Sequence, residues 1–278
     1  VQTCALPISF NTKAGSDTIY FDSNWEQTTR ENARYYRLID FDTTGKPIFH
    51  VKDFYISGNL QMEGKYRSIY PDYKTGEFIY WYENGRKKLI CNYVNNTLSG
   101  HYIEWYDNGN LKSERFFKYG KIEGTERIWS PEGNLKKIVE YKNGLRHGKF
   151  MTFYDNGRPV RKDIYKNDIF IKGKCYTQQG KDTAYFDYLQ PPKFSGGLEE
   201  FSKFIADKLI YPEAAKIKNE EGDVIVQFTI DKNGKITDPL IIKKDKDYFN
   251  QEALRVINLS PQWIPAQLDG KKIDIRIT

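Results

Sequence analysis

Apolar and polar residues alternate through the middle of the chain in units that repeat every 24 residues. Each unit alternates up to an aromatic residue, passes through a short turn such as Asn-Gly, and alternates again. Alternation of this kind is typical of a half-buried β-strand, and a glycine closing the turn favours a hairpin with a bulge. The recurring aromatic and turn positions are Trp81, Trp105, Trp129 and Phe153, followed by Gly85, Gly109, Gly133 and Gly157.

A fixed period of this length predicts a stacked array of antiparallel β-hairpins. We assign residues 54–188 to this array, with one degenerate repeat before the four regular ones and a longer turn at residues 70–76. Residues 16–53 are expected to form a strand-rich lead-in with a turn at Thr44-Gly45. The aromatic columns favour a structural ladder that holds the sheet together, and a strip that binds sugar or peptide is the alternative.

The periodicity changes after a short stiff break at residues 189–193, Leu-Gln-Pro-Pro-Lys. Apolar spacings of three and four predict a helix from Leu198, and Tyr211-Pro212 ends it because the residue before proline avoids helical geometry. We expect helices and an antiparallel sheet in residues 194–278, a small α+β domain. The expected elements after Pro212 are a short helix at 212–218, strands at 223–230 and 236–242, a helix at 248–259 and a final strand at 271–277.

The two ends of the chain indicate that the sequence is incomplete. Residues 1–8 resemble a translated sequencing adapter, and the tail of a secretory signal is the alternative interpretation. We therefore expect residues 1–15 to be a non-native or disordered lead, and the native start, with any signal peptide or membrane anchor, to be missing. The alternating segment that ends at Thr278 also stops without a turn, which indicates a truncated last strand.

Charge and composition limit the classes of protein to which this sequence can belong. No apolar run approaches the roughly 20 residues that cross a bilayer. The net charge is +6, and residues 46–190 hold 25 basic and 17 acidic side chains, so the excess belongs to the repeats. This favours a solvated sheet face, with contact to an anionic surface as the alternative. Interleaved basic and aromatic residues do not indicate nucleic acid here, because the strands are expected to be pinned by their own ladder.

The residues that carry chemistry in enzymes form no recognisable constellation. The three cysteines and three histidines show none of the spacings of a metal site, and the adjacent pairs Glu199-Glu200 and Glu220-Glu221 are typical of solvated surfaces. No nucleotide or hydrolase motif stands in a suitable context. The sequence therefore predicts no enzyme, no catalytic residue, no metal and no cofactor.

The repeats resemble the MORN-variant repeats of the YwqK type. The resemblance rests on an aromatic pair, an Asn-Gly turn, a basic strand, a second aromatic residue and a glycine, as in Trp105-Tyr106, Asn108-Gly109, Phe117 and Gly124. It covers roughly residues 50–175 and implies an antiparallel meander without enzyme activity. Some repeats of this type are labelled antitoxin-like, which leaves a regulatory role open.

The last domain resembles the C-terminal domain family of TonB, the energy transducer of the Gram-negative envelope. Short motifs agree with the family in order and spacing, and they comprise Phe194-Ser-Gly-Gly197, Tyr211-Pro-Glu-Ala-Ala215, Asp231-Lys-Asn-Gly234, Glu252-Ala-Leu-Arg255 and Pro261-Gln-Trp263. Serine replaces the family's first proline at position 195, and alanine follows Pro265 where the family has glycine. The Pro-rich spacer of a full transducer is not seen, and the repeats occupy its place.

The TonB resemblance implies that the domain binds the extended box of an outer-membrane transporter by adding it to the sheet as a strand. The family contacts the box just before Tyr-Pro, which corresponds to Lys208, Leu209, Ile210 and Tyr211. Lys208 stands where the family has a contact glutamine. The open edge at Ile273, Ile275 and Ile277 is the other candidate, and Trp263 is expected to be structural.

These observations predict a non-enzymatic protein of the periplasm or cell envelope of a Gram-negative bacterium, acting in energy-coupled transport. Its partner would be an outer-membrane transporter or another envelope protein. A periplasmic interaction scaffold that binds protein or glycan without transport coupling is the alternative, and an antitoxin-like regulator is a third hypothesis.

Overall fold

The computed structural model describes residues 18–42 and 48–278. The chain divides into two compact units, one that ends at Thr183 and one from Ala184 to Thr278. The expected lead at residues 1–15 and the turn at Thr44-Gly45 lie outside the described residues.

The expected linker at residues 189–193 is not a free connection. Leu189 and Gln190 pair with a strand of the second unit, and Lys193 forms a β-bridge with Ile264. The boundary therefore lies before the two prolines, because the backbone on both sides of them is hydrogen-bonded into the second unit.

The first unit is an antiparallel sheet of 15 strands that follow one another in chain order as a meander, except that β9 pairs only with β8. The mainly antiparallel fold class is as the sequence predicts. The strands are β1 (Ile19–Phe21), β2 (Tyr35–Asp42), β3 (Ile48–Tyr55), β4 (Leu60–Ile69), β5 (Asp72–Trp81), β6 (Lys87–Val94), β7 (Thr97–Trp105), β8 (Leu111–Lys118), β9 (Lys121–Ile122), β10 (Gly124–Trp129), β11 (Leu135–Lys142), β12 (Leu145–Phe153), β13 (Pro159–Lys166), β14 (Ile169–Tyr176) and β15 (Asp182–Thr183).

Two features of the start of this sheet differ from expectation. The strands expected to form a separate lead-in belong to the same sheet, because β2 pairs along its length with β3. The longer turn expected at residues 70–76 is a tight connection, since β4 ends at Ile69 and β5 begins at Asp72. Two long strands, paired with two shifts of register, replace the expected long turn.

The hairpin turns have the geometry that the glycine series predicts. In the first regular repeat the Tyr82 N–H donates to Arg86 O, the Gly85 N–H donates to Tyr82 O, and Gly85 has a φ of 79°. The register shifts between Tyr80 and Trp81, which is a β-bulge at the end of the strand. Glycine adopts such a φ at the least steric cost, so the series from Gly85 to Gly157 marks where the hairpin of each regular repeat closes.

A tyrosine follows the turn-proximal aromatic residue in three of the four regular repeats, and it connects one hairpin to the next. The Tyr82 hydroxyl donates to Trp105 O at 2.8 Å, and the Tyr106 hydroxyl donates to Trp129 O at 2.8 Å. Tyr55 makes the same bond one repeat earlier and Tyr154 one repeat after the gap described below. Each bond ties a side chain to the backbone of the following hairpin.

The turn asparagines form a second, parallel series. Asn84 Nδ2 donates to Asp107 O at 2.9 Å, while its Oδ1 accepts the Arg86 N–H of its own turn at 3.0 Å. Asn108 repeats this arrangement toward Pro131 O at 2.7 Å. A single asparagine thus closes its own turn and bonds to the next, which explains why Asn-Gly recurs. We call the tyrosine and asparagine bonds together the turn ladder.

The third regular repeat interrupts the turn ladder. Ser130 takes the tyrosine position and Glu132 takes the asparagine position. A serine hydroxyl is too short to reach the next hairpin, and an ionised carboxylate has no proton to donate. The Lys136 side chain instead forms an ion pair with Asp155 across this joint. The joint between the third and fourth hairpins is therefore held differently from its neighbours.

The aromatic contacts of the sheet include the expected rings on the second strand of each hairpin, such as Tyr93 and Phe117, but their partners are not Trp81 and its counterparts. Tyr93 makes an edge-to-face contact with Phe78 at 5.2 Å, and Tyr102 makes the equivalent contact with Phe117 at 5.5 Å. Phe78 is fully buried, whereas Trp81 and its counterparts are half-buried. The expected column contributes its backbone carbonyls to the turn ladder, because the bulge before Trp81 takes that residue out of the alternation.

The second unit contains three helices and two small antiparallel sheets, an α+β arrangement as expected. The sheet orders are β16-β19-β20 and β18-β17-β21. The elements are β16 (Leu189–Gln190), α1 (Gly197–Lys208), α2 (Glu213–Lys218), β17 (Ile225–Ile230), β18 (Ile236–Lys243), α3 (Asp247–Asn258), β19 (Gln267–Leu268), β20 (Lys271–Lys272) and β21 (Ile275–Ile277).

Trp263 lies at the centre of the core of the second unit. Its ring contacts Phe194 at 5.3 Å, Phe201 at 5.2 Å and Phe228 at 6.1 Å, and its indole N–H donates to Ser260 Oγ. The Trp263 backbone N–H also donates to Gly234 O at 2.8 Å. This contact joins the β17–β18 turn to the segment that carries the tryptophan.

The final strand is divided between the two sheets. The continuous strand expected over residues 271–277 is wrong, because Lys271–Lys272 pairs with β19 and Ile275–Ile277 pairs with β17. Asp274 stands at the break, where its Oδ1 accepts the Lys232 N–H at 2.7 Å. The alternation persists through the break, so the pattern alone cannot show it.

We expect the turn ladder to contribute measurably to stability. Tyr106→Phe deletes one hydroxyl and should lower the free energy of unfolding by about 1 kcal/mol, the usual value of one hydrogen bond. Tyr119→Phe is the matched control, because Tyr119 is 80% exposed. Glu132→Asn should raise stability by restoring a donor at the interrupted joint. Urea unfolding measures all three, and equal values for Tyr106→Phe and Tyr119→Phe would contradict the ladder.

Gly234 offers a second test of the fold. Its φ is 87°, and a Cβ there would lie 1.9 Å from Trp263 O. Gly197 has a φ of 86° in the same unit, but nothing lies within 4 Å of its Cβ position. Gly197→Ala should therefore cost about 1–2 kcal/mol from backbone strain alone, and Gly234→Ala should cost clearly more or prevent folding. Similar urea midpoints for the two variants would refute the contact.

Candidate partner-binding surface of the second unit

The segment Lys208–Tyr211 connects α1 to α2 and is held against α3. Lys208 is the last residue of α1, and Pro212 precedes the first residue of α2. Leu209 and Ile210 are 49% and 64% exposed, so two large apolar side chains face solvent side by side. An exposed apolar pair on an ordered loop is the kind of surface that a partner covers.

Two side chains of α3 fix the backbone of this loop. Glu252 Oε1 accepts the Ile210 N–H at 2.6 Å, and Arg255 Nη2 donates to Lys208 O at 2.6 Å. Glu252 and Arg255 also pair with each other at 2.7 Å. The hydrogen bond from Arg255 lowers the pKa of the Glu252 carboxyl, and the Ile210 N–H adds to the effect. We call these two residues the α3 clamp.

Tyr211 is packed as well as partly exposed. Its ring makes an edge-to-face contact with Phe249 at 5.9 Å, and its hydroxyl donates to Glu220 O. It is 39% exposed. The tyrosine therefore holds the start of α2 against α3, and it presents one edge to a neighbouring cleft.

That cleft has a volume of about 760 Å³ and opens beside Leu209 and Tyr211. This volume falls within the range of ligand pockets, about 300–1,000 Å³. Its walls include Phe249, together with Asp223 and Lys243, which form an ion pair at 3.4 Å. Apolar rings beside paired charges can accept the side chains of an extended segment.

The other candidate surface is the edge of the sheet at β21. The order β18-β17-β21 places β21 at the edge, paired on one side with β17. Ile275 and Ile277 pack against the core, and Ile273 lies before the strand with its N–H donated to Ala266 O. The isoleucine side chains therefore face inward, and the edge offers its main chain to a partner.

The structure places the two predicted surfaces on different elements. Lys208–Tyr211 rests on α3, whereas β21 belongs to the sheet with β17. Sequence reasoning missed the α3 clamp as part of the site. The signal was present as Glu252 and Arg255, an acidic and a basic residue three positions apart on a helix, but spacing cannot show that they reach the loop.

Other kinds of site are not found in residues 18–42 and 48–278. No group of three or more His, Cys, Asp or Glu side chains is placed to hold a metal ion there. Cys91 and Cys175 are buried, and neither forms a disulfide within these ranges. Within the same ranges, no helix has both the length and the apolar character that crossing a membrane requires.

Comparison with known families supports both resemblances. The family described as MORN repeat variant matches residues 74–95, 98–119, 122–143 and 146–167. The family described as Gram-negative bacterial TonB protein C-terminal matches residues 207–278. The chain thus carries four MORN-variant repeats followed by a TonB C-terminal domain, as the sequence predicts.

Several curated relatives share only part of their length with this chain. Protein TonB of Helicobacter pylori (strain ATCC 700392 / 26695) is 37% identical over 105 residues, which cover 37% of this chain and 36% of the relative. Protein TonB of Campylobacter coli is 29% identical over 99 residues, covering 35% of this chain and 43% of the relative. The matches therefore span less than half of each relative. They agree with the expected location in the Gram-negative cell envelope and support a TonB-like envelope protein.

The α3 clamp should be sensitive to acid. A carboxyl with a lowered folded-state pKa stabilises the fold above its unfolded value, near 4.3, and this contribution is lost as the pH falls through the folded pKa. The amide proton shift of Ile210, followed by NMR, should titrate with a midpoint below 4.3. Glu252→Gln should abolish this titration, whereas Glu199→Gln, an exposed control in the same unit, should preserve it. An Ile210 amide that ignores pH would contradict the clamp.

Proposed function

We propose that the second unit binds an extended segment of an outer-membrane transporter by strand addition at β21, in energy-coupled transport. The observation that carries the proposal is the edge position of β21, whose isoleucine side chains pack inward while its main chain borders the edge. An added strand draws its affinity from main-chain hydrogen bonds and its selectivity from alternate side chains. The TonB C-terminal domain match supports the same interpretation.

The loop Lys208–Tyr211 is the proposed second contact. The α3 clamp holds its backbone in place, so Leu209 and Ile210 are presented on a rigid support. A preorganised surface binds more tightly because less conformational freedom is lost on association. The exposed Lys208 side chain lies where the TonB family has glutamine, so this position is proposed to set partner preference.

The repeats are proposed to act as a structured spacer in the position of the Pro-rich segment of other transducers. The turn ladder supports this role, because each hairpin is bonded to the next through side chains as well as strands. Contact between the repeats and an anionic surface stays a prediction. Several of the basic side chains are already paired with acidic ones, as Arg127 is with Glu114.

Strand addition can be tested with box peptides of transporters from the source organism. Two N-methylated versions of each peptide are prepared, one methylated at the odd-numbered residues and the other at the even-numbered residues. Each version blocks the N–H groups along one edge of the extended peptide. The full chain should bind the unmodified peptide and one of the two methylated versions. It should not bind the other version. Fluorescence anisotropy of labelled peptide measures this. Failure of every unmodified peptide to bind would refute transporter recognition and favour the scaffold alternative.

A separate pair of variants tests whether Lys208 contacts the partner. Lys208→Gln restores the amide of the family and should tighten binding of the same peptides several-fold. Lys203→Gln removes the same charge from an exposed site on the same helix and is the matched control. Equal affinities for the two variants would exclude Lys208 as a partner contact.

A further inference from the structure

The first unit contains a cleft that the proposed function does not use. It is formed by β2 to β5 and by the turn after β1, and its volume is about 420 Å³. It lies within the 300–1,000 Å³ range typical of small-ligand pockets. Because it belongs to the first unit, it is independent of the strand-addition surface in the second.

Aromatic side chains line the mouth of this cleft. Tyr35 stacks on one side of Trp25, with ring centroids 4.5 Å apart and planes inclined by 8°, yet Trp25 remains 40% exposed. Tyr70 is 61% exposed on the β4–β5 connection. Held in place by packing, an exposed indole offers a flat apolar surface at little cost in conformational entropy.

Polar groups form the interior of the cleft. Arg37 and Asp53 form a doubly hydrogen-bonded ion pair at 2.7 and 2.9 Å, and Asp53 is almost fully buried. Gln61 Oε1 is buried, and no donor reaches it from the described residues. A buried acceptor without a donor among the described residues is uncommon, and a hydroxyl of a bound ligand could supply that donor.

The charges of the cleft balance. Arg37 and Lys74 supply two positive charges, and Asp53 and Asp72 supply two negative charges. A strongly anionic or cationic ligand would find no excess of opposite charge. A purely apolar ligand would leave the buried Gln61 acceptor without a hydrogen-bond donor, which is unfavourable.

We propose that this cleft binds a neutral sugar ring of a glycan. A pyranose has an apolar C–H face that can pack on Trp25 or Tyr70, and hydroxyls around its edge that can donate to Gln61 Oε1 and accept from Lys74. It is uncharged, in agreement with the balanced lining. This inference goes beyond the proposed transport function and does not depend on it.

The experiment is isothermal titration calorimetry of the full chain with N-acetylchitotriose and with cellotriose, two neutral oligosaccharides of different substitution. At least one should bind with a 1:1 stoichiometry. Trp25→Ala should weaken that binding tenfold or more by removing the apolar surface. Gln61→Met, which keeps the side-chain length but removes the acceptor, should weaken it at least threefold without loss of stability.

Tyr119→Ala is the matched control, because Tyr119 is an exposed aromatic residue outside the cleft. It should leave sugar binding unchanged. Circular dichroism melting of each variant separates lost binding from lost folding, and Gln61→Met provides the decisive comparison if Trp25→Ala does not fold. The proposal is overturned if neither oligosaccharide binds the folded wild-type chain, or if Gln61→Met binds as the wild type does.

Discussion

The register between successive hairpins depends on the turn ladder. A half-buried sheet with polar residues on both faces specifies strand register weakly, because a slip exposes little additional apolar surface. The Tyr82 hydroxyl and the Asn84 amide each bond to the next turn, and these bonds can form only when the turns are aligned. A period of 24 residues therefore places the side-chain donors of each turn beside the backbone carbonyls that accept from them in the next hairpin. Glycine closes the turn within each regular hairpin, and the tyrosine and asparagine bonds align that turn with the next one.

Local patterns predicted the elements well because hairpins, turns and helices are determined by neighbouring residues. The Asn-Gly turns, α1 to α3 and the division into repeat array and α+β domain could all be read from the sequence. The aromatic contacts could not, because one β-bulge before Trp81 changes which residues share a face. Phe78 therefore occupies the core position expected for Trp81. The sequence also cannot show that β1 and β2 continue the repeat sheet, since strand pairing is a property of the fold.

The proposed binding surfaces of the second unit also could be predicted only in part from the sequence. Ile273, Ile275 and Ile277 were predicted as an open strand edge, and the structure shows in addition that the side chains of Ile275 and Ile277 pack inward, which leaves the backbone at the edge. Backbone edges have no signature in the amino-acid sequence beyond the strand that carries them. The α3 clamp is also tertiary, because Glu252 acts on a residue 42 positions away. The proposed strand addition would therefore use main-chain groups that every residue possesses, and the contacts that position these groups are created only by the fold.

The interrupted joint at Ser130 and Glu132 has a mechanical consequence. In a meander, a pull between the first and last strands loads all strand interfaces in series, so the extension of the whole is determined by the weakest interface. Joints with a complete turn ladder resist opening through side chains and strands together, whereas the joint at Ser130 lacks the tyrosine and asparagine bonds of the ladder. Under a pull applied to the two ends of the sheet, this joint would be the first to open, and the hairpins on either side would stay intact.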